Sequence, residues 1–173
     1  MDIIAIRSEG DEPRLVVTFP PAGGDPEQLH GAAAQFFPRA HLVSADCTAH
    51  GTDAAIAFVT AERDRCAATE IVGIGYAGGA GLLAAMSFAA PHLFDVLALM
   101  HPVVTDLPAP RSGLAMTRVL LTSGRDDPHC PPAMVQGLSD IYAAEKADVT
   151  LAWHPGGHEI PQSEVSTLSD FLT

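Results

Sequence analysis

The sequence predicts an α/β fold: a mostly parallel sheet with helices on both of its faces. Short runs rich in Val, Ile and Leu alternate along the chain with longer segments of helical character. These runs are continuously apolar, as expected for parallel strands that are buried on both faces. The chain has 173 residues, of which 47% are hydrophobic, so we expect one domain over residues 1–173 with a substantial core.

The first part of the chain predicts two strands, a helix and a short third strand. The apolar runs Ile3–Ile6 and Leu15–Phe19 are the first two strands. A helix is predicted over Pro26–Phe37, because Asp25 is a favourable N-cap and proline suits the first helical position. The run His41–Val43 is the third strand.

The rest of the chain continues this alternation. The helical segments are Thr52–Cys66, Gly78–Ala90, Pro132–Lys146 and Glu159–Leu172. The apolar strands are Glu70–Gly75, Val96–Met100, Val119–Thr122 and Val149–Trp153. This order is the doubly wound α/β pattern, in which ligands bind beyond the carboxyl ends of the strands. The loops after four strands should therefore face one crevice; these strands end near Phe19, Gly75, Thr122 and Trp153.

Charge and cysteine content narrow the function classes. The formal net charge of −12 disfavours nucleic acids and anionic membrane surfaces as partners. The segment Met1–Pro13 is acidic and lacks the basic start and apolar run of a signal peptide, and no apolar stretch is long enough to span a bilayer. Cys47, Cys66 and Cys130 are odd in number and irregularly spaced, which favours reduced thiols. We expect a cytoplasmic protein without membrane insertion.

The loop after the strand Glu70–Gly75 contains the most informative motif. The sequence Gly75-Tyr76-Ala77-Gly78-Gly79 follows a buried strand and opens a helix of small residues. This is the context of the G-x-S-x-G nucleophile elbow, but alanine stands at the position of the serine. A methyl group cannot attack a carbonyl, so the chain either lacks the nucleophile of a serine hydrolase or uses the same pocket for something else.

The other three crevice loops contain an oxyanion candidate, an acid and a histidine. Phe19–Asp25 follows an early strand, Leu121–Pro128 contains two aspartates, and Trp153–Glu159 contains two histidines. The chain order of nucleophile position, acid and histidine is that of serine hydrolases with this elbow.

On these motifs the chain resembles the α/β-hydrolase superfamily, in the small carboxylesterase/phospholipase-like branch that neighbours the dienelactone hydrolases. The matching segments are Gly23-Gly24-Asp25, Gly75-Tyr76-Ala77-Gly78-Gly79, Gly124-Arg125-Asp126-Asp127-Pro128-His129-Cys130-Pro131 and Gly156-Gly157-His158-Glu159. The resemblance extends from about Leu15 to the end of the chain, and the last two segments are its most specific parts.

The resemblance implies a role for individual residues. Asp127 matches the triad acid, His158 matches the triad base, and Ala77 occupies the position of the nucleophile. In such a triad the histidine takes the proton of the nucleophile, the aspartate fixes the histidine tautomer, and water cleaves the resulting acyl-enzyme. The backbone N–H groups of Ala22 and Gly78 would line the oxyanion hole.

Further residues complete the expected substrate pocket. Gly23 and Tyr76 lie beside the proposed oxyanion and nucleophile positions. Tyr76 either packs or touches a ligand through its hydroxyl. His101, at a strand end, either reaches the crevice or is a structural histidine. We expect a small uncharged ester or lactone as substrate, with no cofactor and no metal.

Three features depart from the family pattern. Ala77 removes the nucleophile, and Pro20-Pro21 replaces the usual His-Gly before the oxyanion donor. Proline has no N–H, so this loop cannot present the full donor set. Both departures together favour natural divergence over a single laboratory substitution. The segment Ser44–Gly51 is short, so we expect a reduced lid over a pocket that is shallow or completed by the second subunit of a homodimer.

Three functions remain open. The first is an esterase-type hydrolase scaffold that is inactive or impaired because of Ala77. The second is a pseudoenzyme that binds a small ligand without catalysis. The third is a hydrolase in which His158 and Asp127 activate a water in the space of the absent serine side chain.

Other motifs have weaker interpretations. A metal site formed by His129, Cys130 and His154 is disfavoured, since adjacent loop residues of mixed type are usually structural. Cys130 as a surrogate nucleophile is disfavoured because it lies in the acid loop. The G-x-G-x-x-G pattern of Gly73–Gly78 suggests a nucleotide site, but no acidic residue ends a following strand about 20 residues on, and Asp95 instead begins one.

Overall fold

The computed structural model describes residues 3–173 and consists of one seven-stranded sheet and five helices. Met1 and Asp2, which belong to the predicted domain, lie outside the described residues. The strands are β1 (Ala5–Ser8), β2 (Arg14–Phe19), β3 (His41–Ala45), β4 (Glu70–Tyr76), β5 (Val96–Met100), β6 (Arg118–Gly124) and β7 (Asp148–His154). The helices are α1 (Pro26–Phe36), α2 (Thr52–Cys66), α3 (Gly78–Ala89), α4 (Pro132–Ala144) and α5 (Gln162–Leu172).

The sheet has the order β1-β3-β2-β4-β5-β6-β7. Strand β1 pairs antiparallel with β3, and every other neighbouring pair is parallel. The prediction of a mostly parallel α/β sheet is therefore confirmed.

Both faces of the sheet are covered, which explains why the central strands are continuously apolar. Along β2, Leu15 and Val17 belong to one core cluster and Val16 belongs to the other, since successive side chains of a strand point to opposite faces. Helices α2, α3 and α4 contribute to the first cluster, and α1 and α5 contribute to the second.

The element boundaries differ from the prediction mainly at the two ends of the chain. Strand β1 starts at Ala5, two residues later than predicted, and pairs in register with β3. Helix α5 starts at Gln162 and not at Glu159, because the ring of Pro161 disfavours helical backbone at the residue before it. The predicted N-cap of α1 is present: the Asp25 side chain accepts a hydrogen bond of 2.9 Å from the Glu27 N–H.

No helix within residues 3–173 combines the length and the apolar character needed to cross a membrane.

The parallel strands place the four predicted loops at one edge of the sheet. Strands β2 and β4 are direct neighbours, as are β6 and β7, and β5 lies between the two pairs. Since all these strands run in the same direction, the loops that follow them gather at their carboxyl ends. The candidate active site is built there.

Candidate active site

Ala77 occupies a sharp turn between β4 and α3. Its φ of 52° and ψ of −116° lie where residues other than glycine are strained by about 1–3 kcal/mol. Its N–H donates to Met100 O at 2.9 Å, and its C=O accepts from the N–H groups of Gly81 and Val103 at 3.0 and 3.1 Å. The backbone geometry of a nucleophile elbow is therefore held firmly at a residue that has no nucleophilic atom.

Glycine at position 79 allows this turn to lie against β2. A Cβ atom there would lie 2.5 Å from Pro20 O and 2.6 Å from the carbonyl carbon of Phe19, which is far inside normal contact. The second glycine of the elbow motif is thus a steric requirement, because the first turn of α3 must approach the end of β2 closely.

The predicted oxyanion donors meet at the same place. A Cβ atom built on Gly78 would lie 3.5 Å from the backbone nitrogen of Ala22, so these two residues are close neighbours. The N–H of Gly78 opens α3, where the first N–H groups have no acceptor within the helix and the helix dipole favours negative charge. Gly23 differs from the prediction: its N–H donates to Asp46 Oδ2 at 2.7 Å and is not free for a ligand.

Asp127 follows β6 and is almost fully buried, with 4% of its surface exposed. Its Oδ2 accepts hydrogen bonds of 2.7 Å from the Nδ1 atoms of both His158 and His101. Its Oδ1 accepts from the backbone N–H groups of His129 and Cys130 at 2.8 and 3.2 Å. These contacts use the four acceptor positions of the carboxylate. Burial alone would raise the pKa of Asp127, but the two histidines and the His129 N–H outweigh it and hold the pKa well below its usual value.

His158 is half-buried and oriented by two contacts. Because Nδ1–H donates to the Asp127 carboxylate, the neutral ring has its lone pair on Nε2. The Tyr76 hydroxyl donates to the backbone oxygen of His158 at 2.6 Å, and the two rings pack with centroids 5.2 Å apart. Tyr76 thus positions the histidine loop, and its hydroxyl is occupied by a protein contact.

The acid and histidine loops are joined by their backbones. The N–H groups of Arg125 and Asp126 donate to His154 O and Gly156 O at 2.9 and 3.0 Å. A Cβ at Gly124 would lie 2.8 Å from the carbonyl carbon of Gly156, so only glycine permits this approach. The spacing between Asp127 and His158 follows from this contact between the ends of β6 and β7.

His101 does not line the crevice, contrary to its place among the predicted pocket residues. It is fully buried behind Asp127, and its Nε2 lies 3.1 Å from Glu164 Oε2. The sequence allowed His101 either to reach the crevice or to be a structural histidine, and its burial favours the structural role. The sequence analysis missed Glu164. The signal was present, because Glu164 lies four residues before Leu168 on the buried face of α5, where a carboxylate requires a partner.

The alternative roles of Cys130 and His129 find no support in the geometry. Cys130 is buried, its S–H donates to His101 O at 3.0 Å, and burial raises the pKa of its thiol to about 12. Such a thiol is a poor nucleophile at neutral pH. The His129 ring packs edge-on against His158 with centroids 4.9 Å apart.

Within the part of the chain that the structure describes, two clusters could in principle bind a metal ion: His101/Asp127/His158 and His101/His154/Glu164. The trio of His129, Cys130 and His154, which the sequence analysis disfavoured as a metal site, is neither of them. In the second cluster the Gly156 N–H donates to His154 Nδ1 at 3.0 Å, so the proton of the neutral ring is on Nε2. That nitrogen faces the cluster and has no lone pair for a metal. In the first cluster both histidines direct Nδ1 at one carboxylate oxygen, which is a hydrogen-bond arrangement.

The positions of Gly73 and Asp95 also exclude a nucleotide-binding loop at Gly73–Gly78. Gly73 lies inside β4 among Leu83, Leu97 and Phe94 and is not part of a loop. Asp95 accepts from the Ile71 N–H at 2.8 Å at the opposite end of the sheet, where it cannot reach a ligand in the crevice.

Comparison with known proteins agrees with the fold. Residues 102–168 match the family model "Serine hydrolase (FSH1)", a stretch that contains Asp127 and His158 but not the elbow. The chain is 29% identical over 97 residues to the "Putative hydrolase MhqD" of Bacillus subtilis (strain 168). That match covers 54% of this chain and only 47% of the relative.

Solved structures extend the likeness to the whole fold. Atu2452 of Agrobacterium tumefaciens, a protein of unknown function, has a TM-score of 0.90 at 28% identity, with 96% of this chain and 94% of that chain covered. A carboxylesterase of Bacillus cereus has a TM-score of 0.88 at 21% identity, with 98% and 93% covered.

The fold and these comparisons define the class: this is a protein of the α/β-hydrolase fold. Its C-terminal part, residues 102–168, resembles the serine hydrolases.

Proposed function

We propose that this chain is a carboxylic ester hydrolase scaffold of the carboxylesterase/phospholipase-like type in which the nucleophile is absent. The observation that carries the proposal is the pair of hydrogen bonds that fixes Asp127, His158 and the Tyr76 side chain beside a strained elbow at Ala77. In this proposal Asp127 is the acid, His158 is the base and Ala77 occupies the nucleophile position. The strained turn and the acid–base pair support a site that lacks the attacking hydroxyl and keeps the acid and the base.

The expected chemistry follows from the geometry once a hydroxyl is supplied at position 77. His158 Nε2 would accept the hydroxyl proton while Asp127 stabilises the imidazolium through Nδ1. The oxyanion would lie between the N–H groups of Gly78 and Ala22, at the positive end of α3. Pro20 and Pro21 supply no N–H, so the hole has two backbone donors at most from these loops.

The substrate class follows from how the charged groups of the crevice loops are occupied. Asp25 caps α1, the Arg125 guanidinium lies over the Trp153 ring at 5.2 Å, and Glu159 accepts from the Gly157 N–H. Asp25, Arg125, Asp126 and Glu159 are all exposed, and among the described residues only the Asp126 side chain makes no such contact. With so few charges free to pair with a substrate, a small uncharged ester or lactone is the proposed substrate.

Comparison of the chain with its Ala77→Ser variant tests this proposal. We expect the variant to hydrolyse a short-chain p-nitrophenyl ester with a rate abolished by a second change, His158→Ala. No turnover by a folded Ala77→Ser protein would refute the proposal and leave ligand binding without catalysis as the function.

A second candidate is water activation by His158 in the unchanged chain. The observation that favours it is the contact of 2.7 Å between His158 Nδ1 and Asp127 Oδ2, which leaves the Nε2 lone pair of the neutral ring to accept a proton from water. This candidate predicts slow ester hydrolysis by the parent chain that His158→Ala removes. A parent rate equal to that of His158→Ala would exclude it.

A further inference from the structure

His101 is forced into the protein interior by its backbone. It follows the last residue of β5 with a φ of 46°, a left-handed conformation that is uncommon for residues other than glycine. Its N–H donates to Thr122 O at 2.8 Å, and its C=O accepts the Cys130 S–H. The ring is completely buried as a result.

Both ring nitrogens of His101 face carboxylate oxygens. Nδ1 lies 2.7 Å from Asp127 Oδ2, and Nε2 lies 3.1 Å from Glu164 Oε2. A neutral imidazole donates from one nitrogen only, so it would leave a lone pair against an oxygen of the other carboxylate. An imidazolium satisfies both contacts.

The surroundings of Glu164 keep its carboxylate an acceptor. Thr122 donates its hydroxyl proton to Oε1. The Nε2 atom of His154 lies 3.5 Å from Glu164 Oε2 and 3.4 Å from His101 Nε2, so Oε2 is nearer to His101 Nε2, at 3.1 Å, than His154 is. Three rings pack around His101, those of His158, His154 and Tyr76, with centroids 5.2, 5.3 and 5.8 Å away. Burial alone would lower the pKa of His101, but the hydrogen bonds to the two carboxylates outweigh it and raise the pKa.

We propose that His101 is a positioning residue, an imidazolium that holds the Asp127 carboxylate in the orientation in which Oδ2 meets the Nδ1–H of His158. The backbone N–H groups on Oδ1 fix one side of the carboxylate, and His101 fixes the other. Asp127 then has one rotamer and one charge state, and His158 has one tautomer. The effect on catalysis rests on the proposed function, whereas the charge of His101 and the order of His158 do not.

The positive charge of His101 is tested by nitrogen NMR on the unchanged chain labelled with ¹⁵N-histidine. We expect both ring nitrogens of His101 to carry protons throughout the range from pH 5.5 to 8. Assignment comes from the loss of this signal in His101→Gln. A single protonated nitrogen at neutral pH would overturn the proposal.

The positioning effect is tested on the Nδ1–H proton of His158, again without any need for turnover. In His101→Gln we expect this proton to exchange with water faster by on the order of tenfold or more, because the carboxylate is held on one side only. His129→Gln is the matched control, since that ring also packs on His158 but makes no side-chain contact with Asp127. Equal exchange in the parent and in a folded His101→Gln would refute positioning.

In the Ala77→Ser background, His101→Gln and His129→Gln show whether His101 positions the catalytic groups or contributes to substrate binding. We expect His101→Gln to lower kcat by about tenfold to a hundredfold with KM little changed, as a misplaced catalytic group does. Failure of Ala77→Ser itself would count against the proposed function only, because the two NMR measurements still decide the role of His101. A His101→Gln change that raised KM and left kcat unchanged would contradict the assignment.

Discussion

The two adjacent glycines that open α3 give a sharp prediction about the elbow. Replacement of Gly79 by alanine places a Cβ 2.5 Å from Pro20 O, whereas an ordinary contact begins near 3.4 Å. The neighbouring atoms are backbone on both sides, so the helix and the loop would have to separate by about 1 Å. Overpacking of this kind costs about 1–3 kcal/mol, and the rigid backbone puts this site at the upper end.

Replacement of Gly78 is the matched control. The same substitution one residue earlier places a Cβ 3.5 Å from its nearest neighbour, Ala22 N, which is ordinary contact. We expect Gly78→Ala to change the free energy of unfolding by less than about 0.5 kcal/mol, as surface-like substitutions do.

Urea unfolding followed by circular dichroism measures both variants. Gly79→Ala should lose about 2–3 kcal/mol of unfolding free energy, which for a chain of this length lowers Tm by about 4–12 °C. A Gly79→Ala protein as stable as the parent, or a Gly78→Ala protein equally destabilised, would refute the steric account of the elbow.

Three further predictions concern other parts of the molecule. Gly31→Ala, in the interior of α1 where nothing lies within 4 Å of the new Cβ, should raise the free energy of unfolding by about 0.5–1 kcal/mol in the same urea assay, and a loss would contradict the helical account. Burial raises the pKa values of the Cys47 and Cys130 thiols to about 12, so a thiol reagent at pH 8 should modify only Cys66 quickly in the native protein and all three cysteines in denaturant; rapid native labelling of Cys130 would restore it as a candidate nucleophile. The pKa of His101 is raised on folding, so its contribution to stability is complete below the unfolded value near 6.5 and is lost as the pH rises through the folded value. The stability advantage of the parent over His101→Gln should therefore be largest at or below pH 6.5 and shrink in alkaline solution, and an advantage that grew with pH would show that His101 is neutral.

The sequence predicted the sheet because its strands are buried on both faces. Runs such as Val96–Met100 have no polar position, and only a sheet covered by helices on both sides requires this. The order of the crevice loops was predictable for a related reason, since parallel strands end at one edge and their loops must meet there. Helix α5 was placed three residues early because hydrophobic periodicity does not register the local effect of Pro161 on the residue before it.

The surroundings of Asp127 could not be predicted from the sequence. His101 and Glu164 are 63 residues apart and come from a strand end and a helix, and no local motif links them. The hydrogen bond from the Gly23 N–H to Asp46 Oδ2 is a further long-range contact that spacing along the chain does not reveal. Family motifs predict the residues that face a substrate, whereas buried partners of those residues are set by tertiary packing.

The central claim is that this chain keeps a working acid, base and oxyanion hole and lacks the attacking atom of a serine hydrolase. Intact-mass measurement of the Ala77→Ser variant after treatment with a fluorophosphonate tests it directly, with Ala77→Ser/His158→Gln and the parent chain as controls. The account predicts one phosphonyl adduct per chain on Ala77→Ser and none on either control. An unmodified, folded Ala77→Ser protein would contradict the claim.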